Sequence, residues 1–229
     1  MSDATSEPDA SRRLVRSQRR WQLRGLLDID GTNTARRFLG LLVVGLLVFL
    51  GSWTVAWLVL PNRLLQGRTL GGLLSGGSAA STFLAEWLLI VAINLAVILA
   101  VVILPNLLRS AGDYPLGYFS SLLLVGMFGL TLGTNSFAIP VADGANLAPS
   151  FAVLGGAGVY EVAAYLLAAA AAAGISRWRL QGRWPRQSVV RIADPRFGRA
   201  DALGLLAAVV VVLVAAAWEA HMIASTASA

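Results

Sequence analysis

The chain has 229 residues, 57% of them hydrophobic and only 13% charged, with a mean hydropathy of +0.71. A soluble domain carries about a quarter charged residues to cover its surface, so this composition excludes an ordinary soluble fold. The absence of cysteine excludes disulfides, thiolate metal centres and a cysteine nucleophile. The net charge of +6, carried on the basic side entirely by arginine, flanks apolar runs; that placement points to lipid and topology, not nucleic acid.

The first ten residues are acidic and polar, and residues 12–27 mix arginine with Leu14, Trp21, Leu23 and Leu26. The first apolar run begins at Phe38 and reaches Leu60. It is too long for the apolar core of a signal peptide and no small-residue cleavage site follows, so it reads as a retained signal anchor. Four further runs have the length that a bilayer requires, about 20 residues at 1.5 Å each. The spans are expected at 38–60, 82–104, 116–139, 151–175 and 202–223. All are expected to be helices, because isolated strands leave backbone groups unpaired in lipid. The expected fold class is therefore all-α: a polytopic helical membrane protein with five transmembrane helices between a cytoplasmic arginine-rich tail (1–37) and an external tail (224–229). The expected location is the cell membrane.

Sidedness follows from arginine. Sixteen of the 18 lie in the N-terminal tail and in the loops after spans two and four, against Arg63 and Arg68 alone on the other side. The positive-inside rule then places the N-terminus inside and the C-terminus outside. The basic stretches, with Trp178 and Trp184 interleaved after span four, suit anionic lipid at the inner face or a docking surface for a cytosolic partner.

Small residues crowd spans three and four: Gly126, Gly129 and Gly133, then Gly155, Gly156, Gly158 and an alanine run at 168–173. Such residues let helix backbones approach closely, either within this chain or against another membrane protein. Glu161 lies about 11 residues into span four, roughly 16 Å from its outer end. An ionised carboxylate there costs at least ~2.5 kcal/mol, so it is protonated, hydrogen-bonded or wet. Asn94, Tyr160 and Asn135 are its candidate partners; its role is structural glue, an ion or proton site, or contact with a charged subunit. Glu86, Glu219 and His221 form a second group near the outer face, where Arg63 or Arg68 could join them. One histidine with two carboxylates is a thin basis for a metal site, so none is expected and no cofactor is implied. Ser136 and His221 lack any nucleophile motif around them, and no catalytic machinery is expected.

Three stretches carry a family resemblance: Pro105, Asn106 and Arg109 leading through Gly126, Gly129 and Gly133 to Asn135; Gly156, Gly158 and Glu161 followed by the alanine run; and Ala216 to Ala220 around Glu219. In order and spacing they resemble the stage II sporulation protein M (SpoIIM-like) family of integral membrane proteins over roughly residues 38–223. The chain has Gly156-Ala157 where that family often has Pro-His. The resemblance implies a non-catalytic membrane scaffold or complex subunit with a membrane-protein partner or a second copy of itself. The alternative is a transporter or channel-like permease component with Glu161 on the pathway.

Overall fold

In the computed structural model, residues 33–66, 82–137, 144–150, 158–182, 187–193 and 196–227 are described. They are mainly helical. Helix α1 spans Thr34–Val59, capped by Asn33, whose side chain accepts from the N–H of Ala35 at 2.9 Å and of Arg36 at 3.4 Å. It stops at Leu60, which turns extended before Pro61. Helix α2 spans Phe83–Val97, capped by Thr82, and continues through a π-helical stretch, Ile98–Ile103, and a last α turn, Leu104–Asn106. Pro105 brings no N–H to this turn, and the carbonyl of Val101, four residues back, is taken by the Ser120 hydroxyl.

Helix α3 spans Leu116–Gly133 after Pro115. It ends where Asn135 adopts φ +50° and Ser136 N–H bonds back to the Thr131 carbonyl at 2.9 Å. Helix α4, Val159–Ala172, is extended by a 3₁₀ turn, Ala173–Ile175; α5 runs over Arg199–Ala227. Four helices, Thr34–Val59, Phe83–Asn106, Leu116–Gly133 and Arg199–Ser225, are long and apolar enough to cross a membrane, and Val159–Ile175 is a shorter apolar helix. The chain is thus a multi-pass membrane protein built mainly of helices.

One element has no counterpart in the expectation from sequence. Strands β1 (Leu108–Arg109), β2 (Trp178–Gln181) and β3 (Ser188–Arg191) form a small sheet in the order β1-β2-β3. The first pair is parallel and the second antiparallel. It lies where α2 and α4 end, so Arg109, Arg177, Arg179 and Arg191 collect at one end of the bundle with Arg36 and Arg37. At the opposite end Arg63 N–H bonds the Thr134 carbonyl at 2.7 Å, and Asn146 donates to the carbonyl of Leu60 at 2.8 Å.

Helix α4 sits at the centre, against α1, α2, α3 and α5. Its alanines 168–172 are fully buried. Their small side chains allow α5 to approach so closely that Gly204 faces Ala171. Helices α1 and α3 meet along Gly129 and Gly133, which face Phe49, Trp53 and Ala56. Trp53, fully buried, donates its indole N–H to the Leu147 carbonyl at 2.8 Å. Outward-facing Leu39, Val43, Leu47, Leu58 and Val59 are more than half or about half exposed, as lipid-facing residues of α1.

Candidate functional site

A cluster of polar side chains crosses the contact between α2, α4 and α5. Glu161 lies in the first turn of α4. Gly158 caps that helix with φ +100°, and the Phe128 ring occupies the place where a Cβ would stand. Residues 151–157, including Gly155 and Gly156, lie outside the described residues. The Asn94 amide donates to Glu161 Oε1 at 2.6 Å, and the Tyr165 hydroxyl donates to Asn94 Oδ1. Tyr165 is one helical turn beyond Glu161, so both project from one face of α4. Glu219 of α5 comes within hydrogen-bonding reach of the Glu161 carboxyl. Glu86, in the first turn of α2 and buried, is close enough to Glu219 to act on it through charge.

The convergence has a backbone cause. A helical side chain leans toward the N-terminus of its own helix. Helix α4 begins near the end where α5 finishes, so Glu161 and Glu219 lean toward each other.

Two carboxyl groups can hydrogen bond to each other only if one supplies a hydrogen, because a carboxylate has acceptors alone. A hydrogen bond between Glu161 and Glu219 therefore requires one of the two to carry a proton. The ion pairs Arg37–Asp201, Arg109–Asp113 and Arg179–Asp113 involve neither of them. Asn94 and Tyr165 fix the geometry with uncharged groups, which suits a site whose charge changes as a proton comes or goes.

The cluster is bounded differently on its two sides. Toward the end of the bundle that holds Arg63 it includes buried Glu86. Toward the basic end it meets buried Val97, Ile98, Val102, Leu166 and the alanines of α4. Below that layer Asn106, fully buried, donates to the Ala169 carbonyl at 2.9 Å while its own backbone carbonyl accepts from Ser176 at 2.6 Å. Its Oδ1 has no hydrogen-bond partner among the described residues.

Of the other residues expected from sequence, Asn135 is buried in the turn after α3 and donates to the Ala145 carbonyl at 3.2 Å, far from Glu161 along the chain and in a different contact. Tyr160 is 60% exposed and is not part of the cluster. His221 is exposed, with its ring 6.4 Å from that of Trp218, and stands apart from the carboxyls. Among the described residues, no group of three His, Cys, Asp or Glu side chains is placed to hold a metal ion. Ser136 is buried and shares a hydrogen bond of 2.7 Å with Thr134 Oγ1. Gly126 makes only an ordinary approach to Val48, 3.4 Å from where a Cβ would stand, unlike Gly129 and Gly133.

Sequence reasoning names Glu219, though with Glu86 and His221 rather than with Glu161, and does not find two participants. Tyr165 belongs to the cluster and was legible as the i+4 neighbour of Glu161. The second is Asp201, in the first turn of α5. Its Oδ1 accepts from Arg37 at 2.6 Å and from Thr34 at 2.6 Å, and its Oδ2 accepts from the Gly198 N–H at 3.0 Å. The last bond caps α5, and the first two tie α1 to α5 at the basic end.

An apolar crevice of about 80 Å³ opens between α1, α3 and α4, lined by Gly45, Phe49, Phe128 and Val162 among others. Neither Glu161 nor any other carboxyl lines it. Compared with protein-family models, curated proteins and solved structures, the chain gives no match.

Proposed function

We propose that the chain is a proton-exchanging component of a cell-membrane permease, with the Glu161–Glu219 pair as the exchange site. The observation that carries this reading is the pair itself, held by Asn94 and Tyr165 and continued by Glu86 toward one face only. An ionisable group inside a membrane is retained at a cost, and its default reading is functional. An apolar layer between the cluster and the basic end supports exchange with one face at a time, as alternating access requires.

In this proposal all five helices cross the membrane and the basic end lies in the cytoplasm. Helix α4 supports crossing with 17 residues, Val159–Ile175, about 25 Å by rise per residue. The arginines support the orientation: Arg36, Arg37, Arg109, Arg177, Arg179, Arg191, Arg196 and Arg199 gather at one end. The C-terminus is then external, and Glu86 lies on the outer side of the pair.

Purified protein in liposomes carrying an internal pH dye tests the reading. A pH step imposed outside is expected to equilibrate faster than in protein-free liposomes. Glu161→Gln and Glu219→Gln are each expected to slow that exchange by roughly a hundredfold, the low end of what a positioned proton-transfer group contributes. Wild-type rates equal to those of empty liposomes, or glutamine variants as fast as wild type, contradict it.

A second reading keeps the SpoIIM-like expectation of a non-catalytic scaffold or complex subunit. Its support is that Asn94, Glu161 and Tyr165 satisfy one another inside the chain, as a purely structural brace does. On that reading the glutamine variants lower stability and leave proton exchange at the liposome baseline throughout.

A further inference from the structure

The sheet at the basic end has two unlike faces. The parallel register sets Leu108 beside Trp178, and the antiparallel register sets Trp178 opposite Arg191 and Leu180 opposite Val189. Directly opposed residues share a face, and alternate residues return to it. One face therefore carries Leu108, Trp178, Leu180, Val189 and, at its corner, Arg191. The other carries Arg109, Arg179, Val190 and Gln181.

The second face is tied to the protein. Asp113 pairs with Arg179 at 2.7 Å and with Arg109 at 3.6 Å. On the first face Trp178 is 41% exposed and Val189 62%, against 40% for Val190 on the second. An exposed set of tryptophan, leucine and valine is costly in water. The same set, with arginine at its edge, is what the boundary between headgroups and acyl chains takes up.

We propose that this face of the β2–β3 hairpin docks into the headgroup layer of the adjacent leaflet, against anionic phospholipid. Trp178, Leu180 and Val189 enter the acyl boundary, and Arg191 and Arg177 meet phosphate. Two observations select lipid as the occupant. The hairpin follows α4 after two residues, Ser176 and Arg177, so it cannot leave the membrane surface. The arginines concentrated at this end complement an anionic leaflet. The inference rests on the membrane crossing of α4 but not on proton exchange.

The chain has no cysteine, so single thiols can be placed without background. Spin labels at Val189→Cys and Val190→Cys, on opposite faces of one strand, are compared in full-length protein in vesicles of neutral or partly anionic phospholipid. Collision rates are read with oxygen, which concentrates in lipid, and with a neutral nickel chelate, which stays in water. The oxygen-to-nickel ratio is expected to be severalfold higher at 189 than at 190, and to rise at 189 when anionic lipid is included. Equal ratios at the two positions overturn the proposal. Dipolar broadening at 189 that vanishes on dilution with unlabelled protein also overturns it, by assigning the face to a second copy of the chain. Unchanged ratios at 189 between the two lipid compositions overturn the role of the arginines.

Discussion

Asp201→Ala is expected to destabilise the folded bundle by about 3–5 kcal/mol, the penalty for leaving one member of a buried ion pair without the other. Both side chains are largely withdrawn from solvent, at 7% exposure for Arg37 and 6% for Asp201. The substitution also removes the acceptor for Thr34 and the carboxylate that caps Gly198 N–H. Arg37 then retains its Thr34 contact at 3.2 Å and nothing to balance its charge. A double variant, Arg37→Leu with Asp201→Leu, buries no charge. It is expected to recover at least about 1 kcal/mol relative to Asp201→Ala, since apolar replacement of a whole buried pair is often neutral or better. Denaturant unfolding in mixed micelles measures both. A double variant no more stable than the single one would mean that the pair is solvated and acts as a surface contact.

Gly133→Leu is expected to force α1 and α3 apart, at a cost of about 3 kcal/mol, the upper part of the range for overpacking. Even the first carbon of a side chain would stand 2.6 Å from Ala56 Cβ, 2.7 Å from the Trp53 carbonyl oxygen and 3.0 Å from Trp57 N. Two of those three atoms are backbone, so no rotamer change relieves the clash. Gly126→Ala is the control, because its added carbon meets only Val48 at 3.4 Å. There a methyl group is expected to be neutral, or to stabilise the helix by about 0.5–1 kcal/mol through the loss of glycine's freedom. The same micelle unfolding measurement reads both; equal effects at the two positions would refute the close α1–α3 contact.

How much of this was legible in sequence depends on the kind of signal. Apolar length located the helices: the expected 82–104 becomes Phe83–Asn106, and 38–60 becomes Thr34–Val59. The first helix starts earlier because Asn33 caps it and Arg37 finds a carboxylate, neither of which a hydropathy window registers. Helix α3 ends at Gly133 rather than continuing apolar to 139, because Asn135 takes a left-handed turn that lipid-like composition does not reveal. The sheet was hidden because each strand is short and lies among arginines. Only the Val189-Val190 pair, β-branched between polar residues, hinted at it. At the site, Asn94 was nameable as a partner of Glu161 because both are polar at similar depth. Glu219 was grouped with Glu86 and His221 by their common depth near the outer face, yet residues two apart on a helix, such as Glu219 and His221, point in different directions. Glu219 turns inward to Glu161, and His221 faces outward.

A proton shared by Glu161 and Glu219 inside the membrane is read by infrared difference spectroscopy of the reconstituted protein, through the C=O stretch of a protonated carboxyl group. Wild type is expected to show such a band, shifted on transfer to heavy water, and lost or displaced in both Glu161→Gln and Glu219→Gln. A carboxyl band that survives unchanged in both variants, or one that never exchanges with deuterium, would contradict it.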